Sequence, residues 1–312
     1  MLGPVDFGSR GKAVDLAEHG IEVSRIEALP DRRRGVALMV TGALCFAAMA
    51  ALAKAASAEI PTFEVVAVRS AVTLAVMEGL RRRLGAKLQF FDLPILASRT
   101  IAGFVAIACY FHALRIIPLG EAVLLNSMSP VLTAAGAVWF LGEKMTWFRV
   151  VAIAISVTGL WLLLGARDLG TLQGQGALIG AASALASAWA LISLKKAGKR
   201  NRSLLIVWAL ALVSTVGSLL FADSRWQVPD GQEAFLLLAT GVSAAVAQLL
   251  MTSGYRLLDA SEASVYGFLT PLFSMVLGGV LFAEWPHQRA IFGGVLILGA
   301  GIGLALRVGE RK

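Results

Sequence analysis

Charge is what this sequence has least of. Only 15% of its 312 residues are Asp, Glu, Lys or Arg, against about 25% in ordinary globular domains, and mean hydropathy is +0.76. That excludes a water-soluble enzyme. Thiols are scarce too: Cys45 and Cys109 both lie inside apolar runs, which rules out a disulfide framework or a thiol-rich metal site. His19, His112 and His287 are scattered and share no metal-ligand spacing. The chain has no Ser-His-Asp or H-E-x-x-H pattern and no glycine-rich phosphate loop ending in Lys-Ser/Thr. No metal, cofactor or ATP-driven step is therefore expected. A net charge of +8 could suggest nucleic acid, but the basic residues fall in short clusters between apolar runs, as in a membrane protein.

What fills the chain is apolar sequence in runs of about 18–24 residues, the length a helix needs to cross about 30 Å of hydrocarbon. Ten spans are expected, near 35–54, 62–80, 95–115, 119–141, 147–165, 176–195, 203–221, 233–255, 260–282 and 288–306. Long continuous runs exclude a barrel, whose signature is alternation over about ten residues. Short links such as Pro118-Leu119-Gly120 make antiparallel neighbours and hence a helical bundle. Arg32-Arg33-Arg34, an apolar run and Ala53-Lys54-Ala55 imitate a signal peptide. That run is longer than a usual signal core and matches residues 176–194, so it is read as a retained first span.

The chain repeats once at a constant offset of 141 residues (262 − 121, 271 − 130). The offset pairs Glu262 with Glu121, Pro271 with Pro130, Glu284 with Glu143, Arg256 with Arg115, Lys195 with Lys54 and Gly176 with Gly35. Residues 35–165 and 176–306 form the two copies, with a polar tail at 1–34 and a short one at 307–312. Each copy holds five spans, and an odd number forces the second to insert inverted relative to the first, a common transporter plan. Lys and Arg set the orientation. One face collects Arg32–Arg34, Arg81–Arg83, Lys87, Lys144, Arg149, the cluster from Lys195 to Arg202, Arg256 and Arg307–Lys312; the other has Lys54, Arg115, Arg167, Arg225 and Arg289. The positive-inside rule places both termini in the cytoplasm of a bacterial-type inner membrane.

Glu121-Ala122 followed nine residues later by Pro130 recurs as Glu262-Ala263 and Pro271. A proline within a span removes one backbone hydrogen bond, here to the carbonyls of Asn126 and Gly267, so two symmetry-related kinks are expected near the membrane centre. With these residues in view the chain resembles the drug/metabolite transporter superfamily, in its EamA-type ten-helix group. The resemblance rests on Ala113-Leu114, Glu121-Ala122, Ser129-Pro130, Leu141-Gly142-Glu143 and Gly159, answered by Ala263, Thr270-Pro271, Phe282-Ala283-Glu284 and Gly299. It implies an all-α integral membrane protein of ten transmembrane helices, built as two inverted five-helix repeats around a central cavity and working by alternating access. Ala283 stands where the first copy has Gly142, a departure that tests helix-end geometry. Phe63-Glu64-Val65 with Arg69 also resembles a subset of that family whose members include S-adenosylmethionine carriers and amino-acid exporters.

Arg69 is the leading substrate-binding candidate. An arginine near a helix centre costs about 2.5–3.5 kcal/mol on insertion scales and usually faces the bundle interior. Its repeat mate is the neutral Leu210, so the fold does not demand the charge; structural pairing with an acid such as Glu64 is the competing role. Tyr110, His112, Asn126, Trp189, Gln248 and Tyr266 are further candidates, though each taken alone reads first as an interhelical hydrogen bond. Glu143 and Glu284 read as helix-end caps. His112 makes proton coupling conceivable. The expectation is a secondary transporter, monomeric or homodimeric, whose partners are the bilayer and a small-molecule substrate, with no nucleic acid. Amino-acid-related efflux leads; the alternatives are uptake of an S-adenosylmethionine-like or nucleoside-like metabolite, an integral membrane enzyme, or a non-transporting scaffold.

Overall fold

A computed structural model describes residues 15–142, 144–164, 170–197, 201–222, 226, 229–258 and 266–309. Among them every regular element is a helix, with no strand. The helices are α1 (Asp15–Ala56), α2 (Thr62–Arg83), α3 (Leu93–Ile116), α4 (Leu119–Asn126), α5 (Ser129–Leu141), α6 (Trp147–Leu164), α7 (Leu172–Ala197), α8 (Ser203–Phe221), α9 (Gly231–Leu257), α10 (Leu269–Phe282) and α11 (Gln288–Gly309). Helices α4 and α5 are two halves of one crossing, and α10 is the second half of another, so the count is ten crossings. Seven of the described segments are long and apolar enough to span by length and composition, while Trp147–Leu162 and Leu269–Phe282 are shorter apolar helices. Helix α2 is absent from both groups because Glu64, Arg69, Glu78 and Arg81–Arg83 load it with charge.

The inverted repeat is visible in matched local geometry. Ile117 closes α3 with φ −113° and ψ 163°, its N–H donating to Ala113 O; Leu258, 141 residues on, closes α9 with φ −118° and ψ 154°, donating to Gly254 O. A Cβ on Gly35 would lie 2.8 Å from Leu258, and one on Gly176 3.0 Å from Ile117, the repeat mate of Leu258. Both close contacts are therefore the same contact, α1 on α9 and α7 on α3, viewed from opposite membrane faces. Small residues let the backbones approach where lipid supplies no hydrophobic drive. Ala43, Ala47, Ala50 and Ala53 are buried on α1, and Ala184 and Ala188 on α7. Large side chains point outward instead: Trp139, Trp147, Trp161, Leu220 and Phe292 are all exposed, as an apolar solvent requires.

The first expected kink is a short interruption between α4 and α5. α4 ends at Asn126, with Ser127 at φ −67° and ψ −5°. Its mate Phe268 has φ −71° and ψ −3° ahead of α10. Pro130 then occupies the first turn of α5, where its missing N–H would have had no helical partner anyway; Pro271 stands in the first turn of α10 and is buried. The halves also end alike. Gly142 follows α5 at φ 67° with its N–H on Ala137 O, and Ala283 follows α10 at φ 56° with its N–H on Gly278 O. A left-handed turn suits glycine and strains alanine.

Candidate functional site

Arg69 is fixed by α2 and buried to 5% exposure. Its Nη2 lies 4.0 Å from Met49 Sδ on α1, and its guanidinium stands 5.5 Å from the centre of the Phe111 ring on α3. Tyr110 meets that ring edge-on at 5.8 Å. A cation over an aromatic face gains about 0.5–2 kcal/mol, less than a buried charge loses on leaving water. The Nε atom is buried without a hydrogen-bond partner, and among the described residues no carboxylate forms an ion pair with Arg69. Positive charge is held here by soft, polarizable neighbours with donors to spare, an arrangement suited to an incoming anion. One turn on, Thr73 returns its hydroxyl to Arg69 O at 3.0 Å and keeps that stretch of helix intact.

His112 joins the same α2–α3 region through Nδ1, 3.3 Å from Thr62 Oγ1. The remaining candidates are not gathered there. Asn126 donates to Ser183 Oγ at 3.3 Å, tying the end of α4 to α7. Trp189 Nε1 donates to Ser98 Oγ at 3.0 Å, its ring edge-on to Phe140 at 4.7 Å. Tyr266 packs with Met39, Leu258 and Met251. Gln248 lines a cavity of about 560 Å³ between α2, α8 and α9, beside Met77, Asn201, Val207 and Ser253. That volume suits a small molecule, yet Arg69 is not on its wall. Glu121 is buried in the first turn of α4, where the helix dipole favours an acid. Glu143 and Glu262 lie outside the described residues.

Two features go beyond the substrate-binding candidates read from the sequence. Lys54, at the end of α1, pairs with Glu284 at 3.0 Å and donates to Leu114 O at 3.1 Å and Ile117 O at 2.8 Å. Glu284 in turn accepts from Leu119 N at 2.9 Å. The lysine thus caps the carbonyl end of α3, the glutamate caps the amide end of α4, and the pair ties the first repeat to the second. The other feature is Arg99, an arginine inside the third apolar run, whose Nε is buried without a partner.

The comparisons follow this architecture. The EamA-like transporter family matches residues 33–165 and again 174–306. This chain belongs to that family, and the family is one of metabolite transporters. Among curated proteins, the pseudopaline exporter CntI of Pseudomonas aeruginosa (strain UCBPP-PA14) is 30% identical over 88% of this chain and 96% of its own length. A riboflavin transporter of Vibrio cholerae is 28% identical over 85% of this chain and 90% of its own. The S-adenosylmethionine uptake transporter of Rickettsia felis is 26% identical over 63% and 66%. A crystal structure superposes with a TM-score of 0.61 at 23% identity, covering 88% of this chain and 98% of that one, which supports the fold alone.

Proposed function

We propose that this chain exports a small, carboxylate-bearing metabolite of the amino-acid type, alternately exposing a central site between two inverted repeats at 35–165 and 176–306. Arg69 carries the substrate class: a buried guanidinium with no carboxylate paired to it among the described residues and an idle Nε donor favours an anionic group that arrives with the ligand. The likeness to a pseudopaline exporter supports efflux as the direction. The Lys/Arg-rich face, with both termini and the tails 1–34 and 307–312, lies in the cytoplasm of a bacterial-type inner membrane by the positive-inside rule. His112 and the buried Glu121 are titratable groups within spans that support a proton as the coupling ion.

A second reading is uptake of an S-adenosylmethionine-like metabolite. Glu64, 1% exposed on α2, is an acid that would meet a sulfonium, and one relative bears that name. Proteoliposomes challenged with glutamate, histidine, riboflavin and S-adenosylmethionine, with and without a pH gradient, separate the two. Accumulation of a carboxylated amino acid in inside-out vesicles supports export, and S-adenosylmethionine entering right-side-out vesicles supports uptake. Chemical conversion of a solute, or no flux under any gradient, would replace transport by a membrane enzyme or a scaffold.

A further inference from the structure

Arg99 sits six residues into α3 from Leu93, about 9 Å along a helix axis, on the side of the Lys/Arg-rich face. Arg69 sits seven residues into α2 from Thr62, about 10 Å from the opposite face. The two arginines therefore occupy mirror depths. Their surroundings are mirrored as well. A Cβ on Gly103 would meet both Arg99 Nη1 at 2.5 Å and Leu210 at 2.7 Å, so Arg99 lies against α8 beside Leu210, the repeat mate of Arg69. A Cβ on Gly241 would lie 2.6 Å from Val72 and 3.2 Å from Arg69 O, so the backbone of Arg69 borders α9 beside Thr240, the repeat mate of Arg99, while its guanidinium turns to Met49 and Phe111. Interfaces α2–α9 and α3–α8 are equivalents under the repeat, and an arginine stands at each, Arg69 by its backbone and Arg99 by its side chain.

The side chain of Arg99 also runs the wrong way for a structural arginine. Helix side chains tilt toward the N-terminus, which for α3 is the basic face, and an arginine near a helix end ordinarily snorkels to that interface. Arg99 instead folds forward over Gly103, deeper into the membrane, in a notch that any Cβ would fill. Its Nε has no partner, no carboxylate pairs with it among the described residues, and the residue as a whole stays partly exposed.

We propose that Arg99 is a second anion-binding residue of the translocation path, holding the substrate's carboxylate on the basic-face side as Arg69 holds it on the other. The proposal rests on the reading of the substrate as an anion, and its test needs no substrate. Ala102 lies on the same face of α3, three residues on, and is half-buried; its replacement keeps Arg99 in place. In a Cys45→Ser, Cys109→Ser background, Ala102→Cys and, separately, Arg99→Cys are treated in inside-out vesicles. The reagents are anionic 2-sulfonatoethyl methanethiosulfonate and its cationic trimethylammonioethyl counterpart. Both thiols are expected to react from the basic face. Adding Arg99→Gln to Ala102→Cys is expected to lower the anionic-to-cationic rate ratio by about threefold or more, because a focused positive potential concentrates anions. Unreactive thiols in both variants, as for a guanidinium sealed by packing or turned to lipid, would overturn the proposal, as would a ratio indifferent to Arg99. Should Arg99→Cys fail to assemble, Ala102→Cys alone decides. Reactive thiols in a protein that moves no amino acid would leave the path standing and remove only the substrate reading.

Discussion

At the residue scale, the two arginines and one alanine carry the most information. Leu210 shows that the α2 position tolerates an aliphatic side chain in the equivalent place, so Arg69→Leu is expected to fold with a melting temperature near that of the wild type. Its cost falls on function, since removing a charged hydrogen-bonding group loses about 1.5–3 kcal/mol of interaction. Ala283 is the opposite case, a residue whose change improves the fold. It holds a left-handed φ of 56° where its mate is Gly142 at 67°. Ala283→Gly is expected to stabilise the protein by about 1 kcal/mol, the usual penalty of a Cβ in that conformation, seen as a higher melting temperature in detergent; no change would mean the turn is unstrained. The sequence already marks Ala283 as the departure from its mate. Which way Arg99 points was not legible, because its direction depends on the missing side chain at Gly103 and on Leu210 across the interface.

Elements meet through small residues and a few capped ends. Gly159 is where α6 crosses α11: a Cβ there would lie 2.7 Å from Gly293 O and 2.9 Å from Ile297. A backbone oxygen cannot rotate away, so Gly159→Val is expected to cost about 1–3 kcal/mol of overpacking, read as a lower melting temperature or loss of the monodisperse peak. Retained stability would mean the crossing is looser than described. The Lys54–Glu284 pair makes a different claim. Both side chains are largely shielded, and each also caps a helix end. A double-mutant cycle of Lys54→Ala and Glu284→Gln is expected to give a coupling of about 1–2 kcal/mol; additive effects would reduce the pair to a surface contact. Much of this was legible in the sequence, where Lys54 and Glu284 recur at the constant offset as Lys195 and Glu143. Their joining to each other was not, because it depends on α1 and α10 converging on the α3–α4 link. The interruption was also hidden: a proline in a long apolar run does not reveal that α4 stops at Asn126 and α5 restarts at Ser129, one residue before Pro130.

For the whole molecule, inverted symmetry is the organising fact, and it links the legible fold to the less legible site. Ten crossings and their pairing follow from the offset because repeated residues meet repeated neighbours, Gly35 with Leu258 and Gly176 with Ile117. The site follows only in part. Arg69, Tyr110 and His112 share the α2–α3 region, whereas Gln248, Trp189 and Tyr266 lie elsewhere, since polarity alone does not tell which face of a span turns inward. Arg69 against Leu210 looks like broken symmetry along the chain, yet the equivalent interface recovers its charge from Arg99. Topology can be checked with thiols introduced at the exposed Glu59 and Lys87. Labelling from outside intact cells is expected for Glu59→Cys alone, and equal labelling of both would contradict the inverted arrangement. The decisive measurement is glutamate flux in inside-out proteoliposomes for wild type, Arg69→Lys and Arg69→Leu at matched incorporation. Wild type is expected to transport glutamate, Arg69→Lys to retain part of the rate, and Arg69→Leu to lose about tenfold or more. A folded Arg69→Leu protein that transports at the wild-type rate would contradict substrate binding by Arg69.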